Sequence, residues 1–88
     1  MTYMLCKHRV HNFERWHEIF ASHADAQKKA GLYLLYLLRG KDDPNLVVYL
    51  FRVDNITSAR AFTEAPEASK AGEESGVIGK PEITLLND

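Results

Sequence analysis

A single cysteine, Cys6, leaves no partner for a disulfide within the chain. Nothing here resembles a cystine-stapled secreted scaffold, and a reducing, cytoplasmic setting is expected. No apolar run approaches the roughly 18 residues that a membrane-spanning helix needs. The first ten residues interrupt their apolar pattern with Lys7, His8 and Arg9 and offer no small-residue cleavage site, so they do not read as a signal peptide. Lysine and arginine total 11 against 12 acidic residues, and no basic stripe gathers anywhere. That balance argues against a nucleic-acid partner. Internal repeats, low-complexity tracts and linkers are also missing. Gly76 and Gly79 are spaced glycines, but the segment lacks the Gly-Lys-Ser/Thr ending and the setting of a phosphate loop.

What is present is an excess of apolar β-surface. The 88 residues are expected to form one domain, residues 1–88, with a small core. Thr2 to Val10 alternates, with Met4, Cys6, His8 and Val10 on one face, and reads as a strand whose apolar face looks toward helices. Leu32 to Arg39 and Leu46 to Val53 are apolar on both faces at once. Side chains of a strand alternate between faces, so both sides of these strands are driven out of water. Helices of one short chain cover one side of a sheet. The other side calls for a second copy, and a homodimer through the helix-free face is expected. Either Leu34 or Tyr49 is expected to face the partner, whichever phase the strands take.

Between the strands, Asn12 is a plausible N-cap for a helix that runs to Gly31. Phe13, Trp16, Phe20, Ala24 and Gln27 gather on its inner side, with His17 and His23 at the edges. Residues 40–45, rich in glycine, aspartate, proline and asparagine, form a hairpin loop. Asn55 or Thr57 caps a helix over residues 58–64 that buries Ala59 and Phe62. Pro66 opens a short helix over residues 67–75, and Pro81 opens a last strand over residues 82–86. The order strand, helix, strand, strand, helix, strand predicts an α+β, ferredoxin-like βαββαβ fold: an antiparallel sheet with its helices on one face.

Four histidines are the obvious chemical candidates. None of their spacings fits a zinc site, so no metal is expected. Aromatic residues along the first helix and the strands read either as plain core or as the walls of a pocket between helix and sheet for a small, flat, hydrophobic molecule. Cys6, mid-strand among apolar neighbours, reads as a small buried hydrophobe.

Several segments carry a family resemblance: Val10-His11-Asn12-Phe13-Glu14-Arg15-Trp16, Lys29-Ala30-Gly31, Leu38 to Asn45, Ala59-Arg60-Ala61-Phe62, and Ser75 to Ile83. Together they resemble the dimeric α/β-barrel superfamily, which includes antibiotic-biosynthesis-type monooxygenases. Gln27 departs from the pattern, standing where relatives often carry arginine. The resemblance implies a barrel formed by two sheets across a homodimer. It further implies a cofactor-independent monooxygenase-like or cyclase-like enzyme acting on a small aromatic or polyketide-type compound, whose own anion reacts with oxygen. On that reading His17 is the base, and His8, Trp16, Phe20, His23, Tyr36 and Phe62 line the pocket. The alternative is a non-catalytic binding module for a small hydrophobic ligand or for haem, with His23 or His17 toward the iron. A purely structural role through assembly is a third reading.

Overall fold

β1 (Thr2–Val10) supplies the central alternation: Met4, Cys6, His8 and Val10 are all buried, while their neighbours in sequence are more exposed. The computed structural model describes residues 1–88. After β1 come α1 (Phe13–Ser22), α2 (Ala24–Lys29), β2 (Leu32–Arg39) and β3 (Leu46–Val53). α3 (Ile56–Glu64), α4 (Pro66–Ser75) and β4 (Val77–Asn87) complete the chain. The four strands form one antiparallel sheet in the order β2-β3-β1-β4, with the helices on one face. This is the expected ferredoxin-like α+β arrangement. No helix is long and apolar enough to cross a membrane.

Capping residues fix where the helices begin. The Asn12 side chain accepts a hydrogen bond from the Arg15 amide at 3.0 Å, and Asn55 does the same for Ser58 at 3.0 Å. Each satisfies an amide that the first helical turn leaves free. Pro66 occupies the first turn of α4, where its missing N–H costs nothing. Gly31 has φ +80°, and a Cβ there would lie 3.1 Å from the Asn55 amide nitrogen. Only glycine lets the end of α2 meet the start of α3 so closely.

Three expectations need correction. The first helix is not continuous to Gly31 but breaks at His23, which has φ −95° and ψ 8°. Ser22 donates its hydroxyl to the Ile19 carbonyl at 2.6 Å, and the His23 amide reaches back to Phe20. Such back-bonding competes with the α-helical ladder and closes the turn. The last strand is longer than residues 82–86, and Pro81 lies inside it. β4 is an edge strand with a register break: Lys7 pairs with Glu82 but Arg9 with Ile78, so residues 79–81 oppose His8 alone. A bulge on an edge tolerates proline, which has no N–H for the ladder.

The third correction concerns β2. Its register slips between Leu34 and Tyr36, leaving Leu35 as the extra residue. The bulge reverses the alternation. Leu32 and Leu34 pair with Val53 and Phe51, whereas Tyr36 and Leu38 pair with Leu50 and Val48. Leu32, Val53 and Phe51 belong to the buried core; Tyr36 is 62% and Leu38 57% exposed. Leu34 and Tyr49 therefore share the helix side, and neither of them is the residue that faces outward from the open face. Tyr36, Leu38, Val48, Leu50 and Leu5 occupy it instead.

The core has two parts. Met4, Cys6, Leu32, Phe51, Val53 and Ala59 form one cluster, and Val10, Trp16 and Val47 the other; Phe20 and Tyr49 touch both. Leu32 is 1% exposed and links β2 to the helices. Truncating it to alanine should lower the unfolding free energy by about 2–5 kcal/mol in urea denaturation, the range for buried leucines whose sites relax incompletely. Lys41→Ala in the exposed hairpin should change it by less than about 0.5 kcal/mol.

Candidate functional site

The helix layer does not fill the space above the sheet. α1 lays Trp16 and Phe20 over β1 and β3, with their rings 4.7 Å apart and nearly parallel. α4 faces the sheet with Ala68, Ala71, Gly72 and Ser75, spaced as one helical face. All four are small side chains. A cleft of about 720 Å³ remains, floored by Met4, Cys6, His8, Tyr49, Phe51 and Ile83 and walled by α1, α3 and α4. That volume lies within the usual range for small-molecule sites.

His8 is the polar centre of this apolar floor. Its ring is 6% exposed and meets Trp16 and Tyr49 edge-on, at 5.4 Å and 5.5 Å between centroids. Nε2 lies 3.0 Å from the Tyr49 hydroxyl, while Nδ1 is buried without a hydrogen-bond partner. Burial lowers the His8 pKa, opposed by the neighbouring Arg9 backbone, so the imidazole is neutral near pH 7. Burial also raises the Tyr49 hydroxyl well above the ordinary phenol range, with Cys6 alongside adding to the shift. The Cys6 thiol is pushed up to about 12 by burial, which a hydrogen bond with Tyr49 only partly offsets. Cys6 is thus a neutral thiol, not a nucleophile.

The structure brings His8, Trp16, Phe20, His23 and Phe62 together around the cleft. It does not bring His17 or Tyr36 there. His17 is exposed on the outer flank of α1, one position beyond the buried Trp16, and stacks on Phe13 at 5.5 Å. It borders a smaller pocket of about 340 Å³ beside the α1–α2 break. Tyr36 lies on the helix-free face because the Leu35 bulge turns it away. Two features escaped sequence reasoning. Tyr49 as the partner of His8 depends on strand register, which pattern alone leaves open. The small-residue face of α4 was visible at positions 68, 71, 72 and 75 as an i, i+3, i+4, i+7 spacing. No group of three or more His, Cys, Asp or Glu side chains is placed to hold a metal ion.

The pKa of His8 has a consequence for stability. Unfolded, its imidazole takes a proton near pH 6.5; folded, it does so only at lower pH. Just below 6.5 the unfolded chain therefore binds more protons, and stability rises with pH through that window. The melting temperature should fall on acidification from about pH 7 to about pH 5, and His8→Phe should flatten that dependence in thermal melts followed by circular dichroism.

No protein-family model matches the sequence, and no curated protein matches it. Solved structures do. A protein provisionally named an antibiotic biosynthesis monooxygenase from Bordetella bronchiseptica superposes with TM-score 0.77 at 10% identity, over 99% of this chain and 95% of that one. SnoaB, a cofactor-independent oxygenase from Streptomyces nogalater, superposes with TM-score 0.74 at 18% identity, over 99% and 91%. A similarly named protein from Nitrosomonas europaea gives 0.71 at 13% identity, over 100% and 98%. At such identities the likeness concerns the backbone and its topology. The chain has the ferredoxin-like α+β fold of the antibiotic biosynthesis monooxygenase domain proteins.

Proposed function

We propose that this chain is a small cofactor-independent enzyme, monooxygenase-like, that takes a flat phenolic or polyketide-type compound into the cleft between α4 and the sheet. The observation that carries this reading is the cleft itself: about 720 Å³ with a largely apolar floor that holds one neutral, buried imidazole. Fold likeness to an oxygenase that works without a cofactor supports it. His8, Trp16, Phe20, His23 and Phe62 are the residues proposed to contact the ligand. The reaction asks little of the protein. A base removes a proton from an activated ring, and the resulting anion passes one electron to dioxygen. The two radicals combine to a hydroperoxide, and loss of water leaves a carbonyl. One methylene and one O2 thus become one carbonyl and one water. The cleft would hold the substrate dry and oriented while its anion forms.

The test is oxygen uptake by purified protein with a panel of hydroquinones and anthrone-like compounds, in the presence of a chelator and without added flavin. At least one compound should be turned over with one O2 consumed per carbonyl formed. Ala71→Phe, which fills the cleft from α4, should abolish turnover while leaving the circular dichroism spectrum intact. Thermal stabilisation by the same compounds without oxygen uptake would instead identify a binding module, and a Soret band on reconstitution would identify haem as its ligand.

The assembly proposed with this function is a homodimer closed through the helix-free face, where Tyr36, Leu38 and Leu86 are large and exposed. An apolar sheet face of this kind is stable when a second copy covers it, burying on the order of 2,000 Å² or more in total. Light scattering at micromolar concentration should give twice the 10.0 kDa chain mass. Tyr36→Glu should halve it or unfold the protein, and a folded wild-type monomer would overturn the proposal.

A further inference from the structure

Several polar side chains of the cleft are tied down within the protein. The Ser75 hydroxyl donates to the Gly72 carbonyl at 3.1 Å, and Thr63 donates to the Arg60 carbonyl at 3.2 Å. The Tyr49 hydroxyl lies 3.0 Å from His8 Nε2. Nδ1 of His8 is the one buried side-chain nitrogen or oxygen without a hydrogen bond. Buried polar atoms nearly always find a partner, so an orphan on a residue that lines the cleft marks a place where one is missing.

The strand opposite helps keep that place open. Residues 79–81 bulge against His8 alone. A Cβ built on Gly79 would meet nothing within 4 Å, and Pro81 brings no N–H. The ring itself is held. Nε2 is tied to Tyr49 at 3.0 Å, and the edges of Trp16 and Tyr49 set its plane.

We propose that His8 Nδ1 is the hydrogen-bonding anchor of the ligand, making the cleft selective for aromatic compounds that carry a hydroxyl, and that Tyr49 is the residue that positions the ring. The proposal rests on the reading of the cleft as an aromatic-binding site. A hydroxyl is the matching group for either form of a neutral imidazole. If Tyr49 donates to Nε2, then Nδ1 carries the proton and donates to the ligand oxygen; if Nε2–H donates to Tyr49, then Nδ1 accepts the ligand O–H. An ether or a ketone has no proton to give and serves only the first form. A phenolic proton held on Nδ1 would also lie where a base is needed to take it.

The experiment compares 1-naphthol with 1-methoxynaphthalene, two probes of similar apolar surface, by titration calorimetry. Wild-type protein should bind the naphthol about tenfold more tightly, the worth of one well-placed hydrogen bond. His8→Phe, folded by circular dichroism, should bind both equally. Tyr49→Phe should keep binding but lose part of the preference. In the unmodified protein the 15N resonance of His8 Nδ1 should move further on adding naphthol than on adding the ether, a readout that does not depend on any variant folding. Equal binding of the two probes, with Nδ1 unmoved by either, would overturn the anchor while leaving the cleft as a binding site. Failure of both probes to bind would overturn the anchor and the reading of the cleft together.

Discussion

One layer of helices must cover a four-stranded sheet, and only part of that layer brings large side chains to do it. Trp16 and Phe20 from α1 close the half of the sheet over β3 and the end of β1. α4 approaches the other half with alanine, glycine and serine. Close packing elsewhere in the core cannot compensate, because dispersion contacts fade within an ångström of separation. The shortfall is the cleft. A histidine on the helix side of a central strand would otherwise be an awkward core residue; here it lines the cleft, and its Nδ1 is the one buried side-chain nitrogen or oxygen without a hydrogen bond.

The opposite face shows the same economy. β2 and β3 are apolar on both sides, and the Leu35 bulge decides which side chains look away from the helices. It turns Tyr36 and Leu38 outward and lets Leu37 join Val47 and Trp16 in the second core cluster. One face of the sheet thus carries the helices and the cleft, and the other leaves Tyr36, Leu38 and Leu86 exposed. Arg9 and Arg39 lie at the hairpin end, where Arg9 donates to Asp43 at 3.0 Å and Arg39 stacks on Phe13 at 3.8 Å. These contacts are exposed and contribute little.

Much of the architecture could be read along the chain because it depends on local rules. Alternation in β1, the Asn12 and Asn55 caps, the hairpin loop and Pro66 at a helix start each follow from a few neighbouring residues, and each is found. The departures arise where residues are inserted into a strand, one at Leu35 and two opposite His8. A bulge at Leu35 moves Tyr36 to the other face, and a bulge at residues 79–81 lengthens β4 past a proline; both depend on pairing with a distant strand, which alternation does not reveal. The break at His23 similarly depends on a serine turning back on its own helix. His17 drew attention as a histidine beside an aromatic stripe, but one helical step is about 100°, enough to leave it outside the cleft. His8 carried the better signal: a polar residue inside an unbroken apolar alternation.

Trp16 is the only tryptophan of the chain and stands in the wall of the cleft, so its emission reports occupancy directly. Titration with a naphthoquinone tests whether the space left by α4 is a binding site. The account predicts saturable quenching at one molecule per chain. Quenching that rises linearly with concentration, as for free tryptophan in solution, would contradict it.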